Sequence, residues 1–254
     1  MNNFRKIASI LMLAVAVAFA AGCKKNDDSN NGGNNNGGGN NGGGQNVSGT
    51  FNGHDYVDLG LPSGTLWAVC NLGSETPEGY GQYFAWGETQ PKSYYDWETY
   101  KHCMSDYNKL VKYCNDANYG YLGFTDDLTM LQASDDAASY NWGEGWQMPS
   151  YSQLQELYQK SDMKWQMQNG VSGMRFTGPN GNTLFLPAAG FIRGDEHQAV
   201  TGKGFYWSNE LFLGYEGHED TENPSNAWLF SLLSNMCDEY RSWGFSIRPV
   251  RSPK

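Results

Sequence analysis

Thiols, imidazoles, carboxylates and aromatic rings are the reactive or ligand-binding groups of this sequence, and their spacing decides which chemistry is open to them. Cys70, Cys103, Cys114 and Cys237 stand too far apart for a CxxC zinc or redox motif. They read as structural thiols or disulfides, and four cysteines allow three pairings among which sequence does not choose. His54, His102, His197 and His218 are scattered and form no metal spacing such as HExxH. No nucleophile–base pair, phosphate-cradling glycine loop or nucleotide fingerprint occurs, so catalysis is not expected. Glu216, Glu219, Asp220, Glu222 and Asn223 offer hard oxygen ligands of the kind calcium takes. A solvated acidic loop is the simpler reading, and no cofactor is expected. Tryptophan and tyrosine rings make stacking platforms for apolar sugar faces. Trp67, Trp86, Trp146, Trp207 and Trp228 lie in or beside expected strands and read as core. Trp243 differs: Asp238, Glu239, Tyr240 and Arg241 precede it and Gly244 follows, which suits an exposed contact.

The elements that must position these groups are mostly short strands. His54–Leu59 leads into the Pro62-Ser63-Gly64 turn, followed by strands at Thr65–Cys70 and Tyr83–Trp86. Residues 88–125 read as long aromatic and polar loops. A short helix is expected at Asp135–Asn141, with Asp135 and Asp136 placed favourably at its N-terminus. A clearer one spans Tyr151–Lys160, where Ser150 and Gln153 have capping-box spacing and Leu154, Leu157 and Tyr158 share a face. Strand pattern returns after Trp165. Arg175–Thr177 and Thr183–Leu186 flank Gly178-Pro179-Asn180-Gly181 as a hairpin. Gly204–Ser208, Ala227–Leu232 and Gly244–Val250 are further strands, while Asn209–Ser225 and Ser234–Trp243 read as variable loops. Two short helices in a β-rich, loop-rich chain predict an α+β fold.

The rest of the chain falls into three parts. Residues 1–22 have a basic start at Arg5 and Lys6 and an apolar run from Ile7 to Ala21, as in a secretory signal, and the run is short for a membrane span. Ala20-Ala21-Gly22-Cys23 resembles the lipobox of bacterial lipoproteins, which implies cleavage before Cys23 and diacylglycerol on its thiol. Residues 30–44 are only Asn and Gly and read as flexible coil. Random-coil scaling gives the Lys24–Ser48 tether a reach of about 25–30 Å. Lys24-Lys25-Asn26-Asp27-Asp28 resembles the charged stretch that marks surface export in Bacteroidetes lipoproteins. One domain then occupies residues 49–254. The net charge of −10 becomes about −12 once Arg5 and Lys6 are removed. Such a surface repels nucleic acid and anionic headgroups, so the expected membrane contact is through the lipid anchor alone.

Seven strings recur in one order: YVDLGLPSGTLWA at Tyr56–Ala68, YFAWGE at Tyr83–Glu88, DDAA at Asp135–Ala138, WGEGWQMPS at Trp142–Ser150, LPAAG at Leu186–Gly190, YWS at Tyr206–Ser208 and SIRPV at Ser246–Val250. As a set they resemble the Fibrobacter succinogenes major paralogous domain of Bacteroidetes lipoproteins, over nearly all of residues 53–251. The resemblance implies a C-type-lectin-like fold: a twisted antiparallel sheet, two helices joined through Gly-Trp-x-Met-Pro-Ser, and a last strand beside the first. It implies no settled activity. In that fold the ligand face lies near the end of the chain, which by analogy singles out Tyr215, His218, Asp238, Glu239, Tyr240 and Trp243. The expected role is an outer-membrane lipoprotein, exposed at the cell surface with a periplasm-facing placement as the alternative, binding a glycan or protein, with a structural subunit of a surface assembly as the rival. Related proteins diversify this region by retroelements, a third possibility against which Trp243 and Glu239 speak. Glu222-Asn223-Pro224 is a scrambled form of the Glu-Pro-Asn calcium string of sugar-binding lectins, and no Trp-Asn-Asp partner follows. Relatives that generate formylglycine use cysteines near the end of the domain, where this chain has only Cys237.

Overall fold

The computed structural model describes residues 46–218 and 222–253. The signal, Cys23, the Asn/Gly run, Glu219 and Asp220 lie outside the described residues. The fold is mostly β, with several small antiparallel sheets and two short helices.

Strands β1 (Gly49–Phe51), β2 (His54–Asp58) and β3 (Leu66–Ala68) are joined by β12 (Val250–Arg251) in one sheet of order β1-β2-β3-β12. The last strand therefore sits beside β3, not beside the first strand. The chain is tied down just before β1: Asn46 Nδ2 donates to Asn182 Oδ1 at 2.8 Å, and Ser48 Oγ accepts from the Asp58 amide at 2.8 Å.

Helix α1 (Ala137–Trp142) starts one residue after its cap Asp136, whose carboxylate accepts from the Ser139 amide. The expected start at Asp135 is corrected, because that side chain is drawn away by two lysines. Helix α2 (Tyr151–Lys160) has the complete reciprocal capping box of Ser150 and Gln153, and it buries Leu154 and Leu157. The Gly145–Ser150 segment joins the two helices, as the resemblance implied.

Strands β4 (Asp162–Gln168), β5 (Val171–Thr177) and β6 (Thr183–Pro187) form a meander, with Thr177 opposite Thr183 across the expected turn. Edge strand β4 leaves Met163, Trp165 and Met167 exposed on one face. β7 (Phe191–Arg193) and β8 (Glu196–Gln198) make a small hairpin. β9 (Phe205–Leu211), β10 (Asn226–Ser231) and β11 (Asn235–Tyr240) make the third sheet, with β10 central.

Two expected strands are nearly absent. Tyr83–Trp86 pairs only through Phe84 with Phe245, and Gly244–Pro249 makes single bridges to three different segments. Both run through the interior with no continuous partner strand. The expected loop at Ser234–Trp243 is instead largely β11, paired with β10 along its whole length. Its polar residues hid the alternation: Met236 packs on one cluster of the core and Cys237 on another.

Three apolar clusters fill the interior. One is built around Val57, Trp67, Leu157, Phe176 and Phe230. The second holds Trp86, Trp207, Leu229 and Phe245. The third, with Tyr83, Tyr95, Tyr100, Cys103 and Cys114, is built largely from the 88–125 segment itself. Trp67, Trp86, Trp146, Trp207 and Trp228 are all buried, as expected, although Trp86 and Trp146 lie outside the strands. Cys103, Cys114 and Cys237 carry free thiols, so the structural-thiol reading holds for these three.

Candidate functional site

Two short antiparallel contacts bring three distant segments together. Ile192 and Gly244 exchange amide hydrogen bonds, each 2.9 Å, and Tyr95 and Gly194 do the same at 2.7 and 2.9 Å. Residues 94–97 and the segment after β11 thus meet side by side against β7 and the turn that follows it. Gly244 is required at this crossing, since a Cβ there would stand 2.8 Å from the Tyr95 ring. The result is an aromatic shelf. Tyr240, 40% exposed, meets Trp97 and Trp243 edge-on, each with ring centroids 5.8 Å away. Trp243 stacks parallel to Phe191 at 5.4 Å, and the Arg193 guanidinium lies 5.1 Å from the Trp243 ring centre.

Trp243 is therefore half-buried and not the freely exposed ring its polar neighbours suggested. Glu239, one position before Tyr240 on β11, is also half-buried. Burial raises its carboxyl above the usual range, while the Arg193 charge pulls it back. Rings and a guanidinium donor on one surface can bind a ligand with one apolar face and several hydroxyls.

Arg241 anchors the shelf from below. It is fully buried, contrary to its expected loop position, and donates to the Tyr113 carbonyl at 2.7 Å and the Lys112 carbonyl at 3.2 Å. Its guanidinium also lies 5.3 Å from the Trp86 ring and 5.4 Å from that of Tyr100. Buried Asp135 fixes the same loops: Lys101, Lys112 and the Tyr113 hydroxyl all donate to it. Burial alone would raise the Asp135 carboxyl, yet these donors hold it down at about 2.

The other expected residues gather elsewhere. Tyr215 donates its hydroxyl to Asp238 Oδ1 at 2.6 Å, and Asn226 donates to Asp238 Oδ2 at 2.6 Å. Burial and then this carboxylate raise the Tyr215 hydroxyl well above its ordinary value. His218 is exposed, and its amide closes a turn onto the Tyr215 carbonyl at 2.8 Å. The six residues thus divide into two shelf rings (Tyr240, Trp243), a loop brace (Tyr215, His218, Asp238) and Glu239, which precedes Tyr240 on β11. Trp97, Phe191 and Arg193 were missed, because no spacing in the sequence foretells the two crossings that recruit them.

Burial, followed by the neighbouring Glu239 and Asp238 charges, pushes the Cys237 thiol up to about 12. At neutral pH it is a poor source of thiolate. Among the described residues no group of three or more His, Cys, Asp or Glu is placed to hold a metal ion. Nor is any described helix long and apolar enough to cross a membrane. Compared with protein-family models, curated proteins and solved structures, the chain finds no match.

Proposed function

We propose that this chain is a surface-exposed outer-membrane lipoprotein whose domain is a non-catalytic binding or adhesion module of C-type-lectin-like fold. Its ligand is a glycan or a protein engaged by the shelf around Tyr240. The observation that carries this reading is the exposed Tyr240 ring set between Trp97 and Trp243, with Arg193 over the Trp243 ring. Aromatic faces give contact area at low ordering cost, and the guanidinium supplies direction. The raised Cys237 thiol argues against a nucleophile there. Lipidation at Cys23 would anchor the domain. The tether enters beside β2 and the β5–β6 turn, whereas the shelf is built from residues 94–97, β7 and the end of β11.

Arrays of glycans and of host proteins, probed with the full chain in calcium and again in chelator, test the proposal. A specific binder supports it, and an array silent under both conditions counts heavily against it. A structural subunit of a surface assembly draws on a different observation, the exposed Met163, Trp165 and Met167 on edge strand β4. Unpaired apolar edges are ready-made contacts for other chains. Purification in a stoichiometric complex, with no array binder, would favour that reading.

A further inference from the structure

Arg251 follows Val250 on β12, and strand alternation sends their side chains to opposite faces. Val250 enters the core, while Arg251 reaches across the other face and is itself only 7% exposed. Its guanidinium lies 3.8 Å from the centre of the Phe51 ring and 5.3 Å from that of Tyr56. Stacking of this kind fixes the plane of the fork without occupying its donors. Among the described residues no carboxylate pairs with Arg251, and its buried Nε has no hydrogen-bond acceptor. The Nε atoms of Arg175 and Arg241 are in the same condition, so what sets Arg251 apart is its place in the wall of a cleft.

A cleft of about 430 Å³ opens beside this side chain, lined among others by Ser139, Glu144, Trp146, Gln147, Arg251 and Ser252. None of the shelf residues lines it. We propose that the cleft is a second site, where the Arg251 guanidinium holds a small monocarboxylate. A planar fork matches a carboxylate in two parallel hydrogen bonds. Phosphate offers similar oxygens but carries more charge, and the negative charge of exposed Glu144, a residue of the cleft's lining, repels a dianion more strongly than a monoanion. A ligand of so few atoms binds at millimolar affinity.

The test titrates the full chain with sodium acetate and, separately, inorganic phosphate at constant ionic strength, following the Arg251 Nε–Hε resonance and the melting temperature. Acetate is expected to give a saturable shift at Arg251 and to bind several-fold tighter than phosphate. Arg251→Lys keeps the charge but loses the fork and should weaken acetate by about tenfold. Glu144→Gln, at an exposed position, should bring phosphate up towards acetate. The proposal is overturned if acetate gives no saturable shift at Arg251, if phosphate binds as tightly as acetate in the parent chain, or if Glu144→Gln leaves their ratio unchanged.

Discussion

At Asp135, Arg241 and His102 single side chains do work that their neighbours in sequence do not announce. Burial pushes the His102 imidazole down to about 4 from an ordinary 6.5, and the neutral ring donates Nε2–H to the Gly87 carbonyl at 2.9 Å. Between these values the unfolded chain takes up a proton that the folded chain refuses. The histidine's contribution to stability is therefore full above pH 6.5 and falls as pH drops towards 4. The difference is worth about 3 kcal/mol. Half-buried His54, also lowered, acts in the same sense. The raised carboxyls of Asp136 and Glu239 act in the opposite one, and Asp135 matters only at still lower pH. Melting temperatures of the parent and His102→Gln between pH 7 and 4.5 isolate the term. The parent curve should fall more steeply, and parallel curves would contradict the assignment. None of this was legible beforehand, since Asp135 read as a helix-end charge and its partners lie far along the chain.

Among the elements, legibility followed locality. The capping box of α2, the hairpin turn between β5 and β6 and the buried tryptophans depend on near neighbours or on regular period, and the sequence shows both. β11 escaped because Asp238 and Glu239 occupy positions where an apolar–polar alternation would have betrayed a strand. The shelf escaped because it is assembled by two crossings of single residue pairs. Gly244 is the test of that assembly. An added methyl meets the Tyr95 ring at 2.8 Å, so ring or backbone must move. Overpacking of this kind costs about 1–3 kcal/mol. Gly244→Ala should lower the melting temperature and displace Trp243 relative to Phe191, visible as altered near-ultraviolet circular dichroism. An unchanged spectrum and melting point would mean that the crossing does not position the shelf.

For the molecule as a whole, acidity, tether and anchor are read from the sequence alone, while the direction in which the domain presents its shelf needs the fold. Replacing Cys23 with Ala should move the protein from the membrane fraction to the soluble one, because several acyl chains, at about 0.8 kcal/mol per buried methylene, are lost together. Continued membrane association would overturn the anchor. The central claim concerns the shelf, and Tyr240 tests it most directly because the ring is exposed and its truncation leaves the core intact. The decisive measurement is the affinity of the parent chain and of Tyr240→Ala for the strongest array ligand, with melting temperatures taken in parallel. The account predicts a loss of about tenfold or more with little change in melting temperature, whereas equal affinity for both proteins would contradict it.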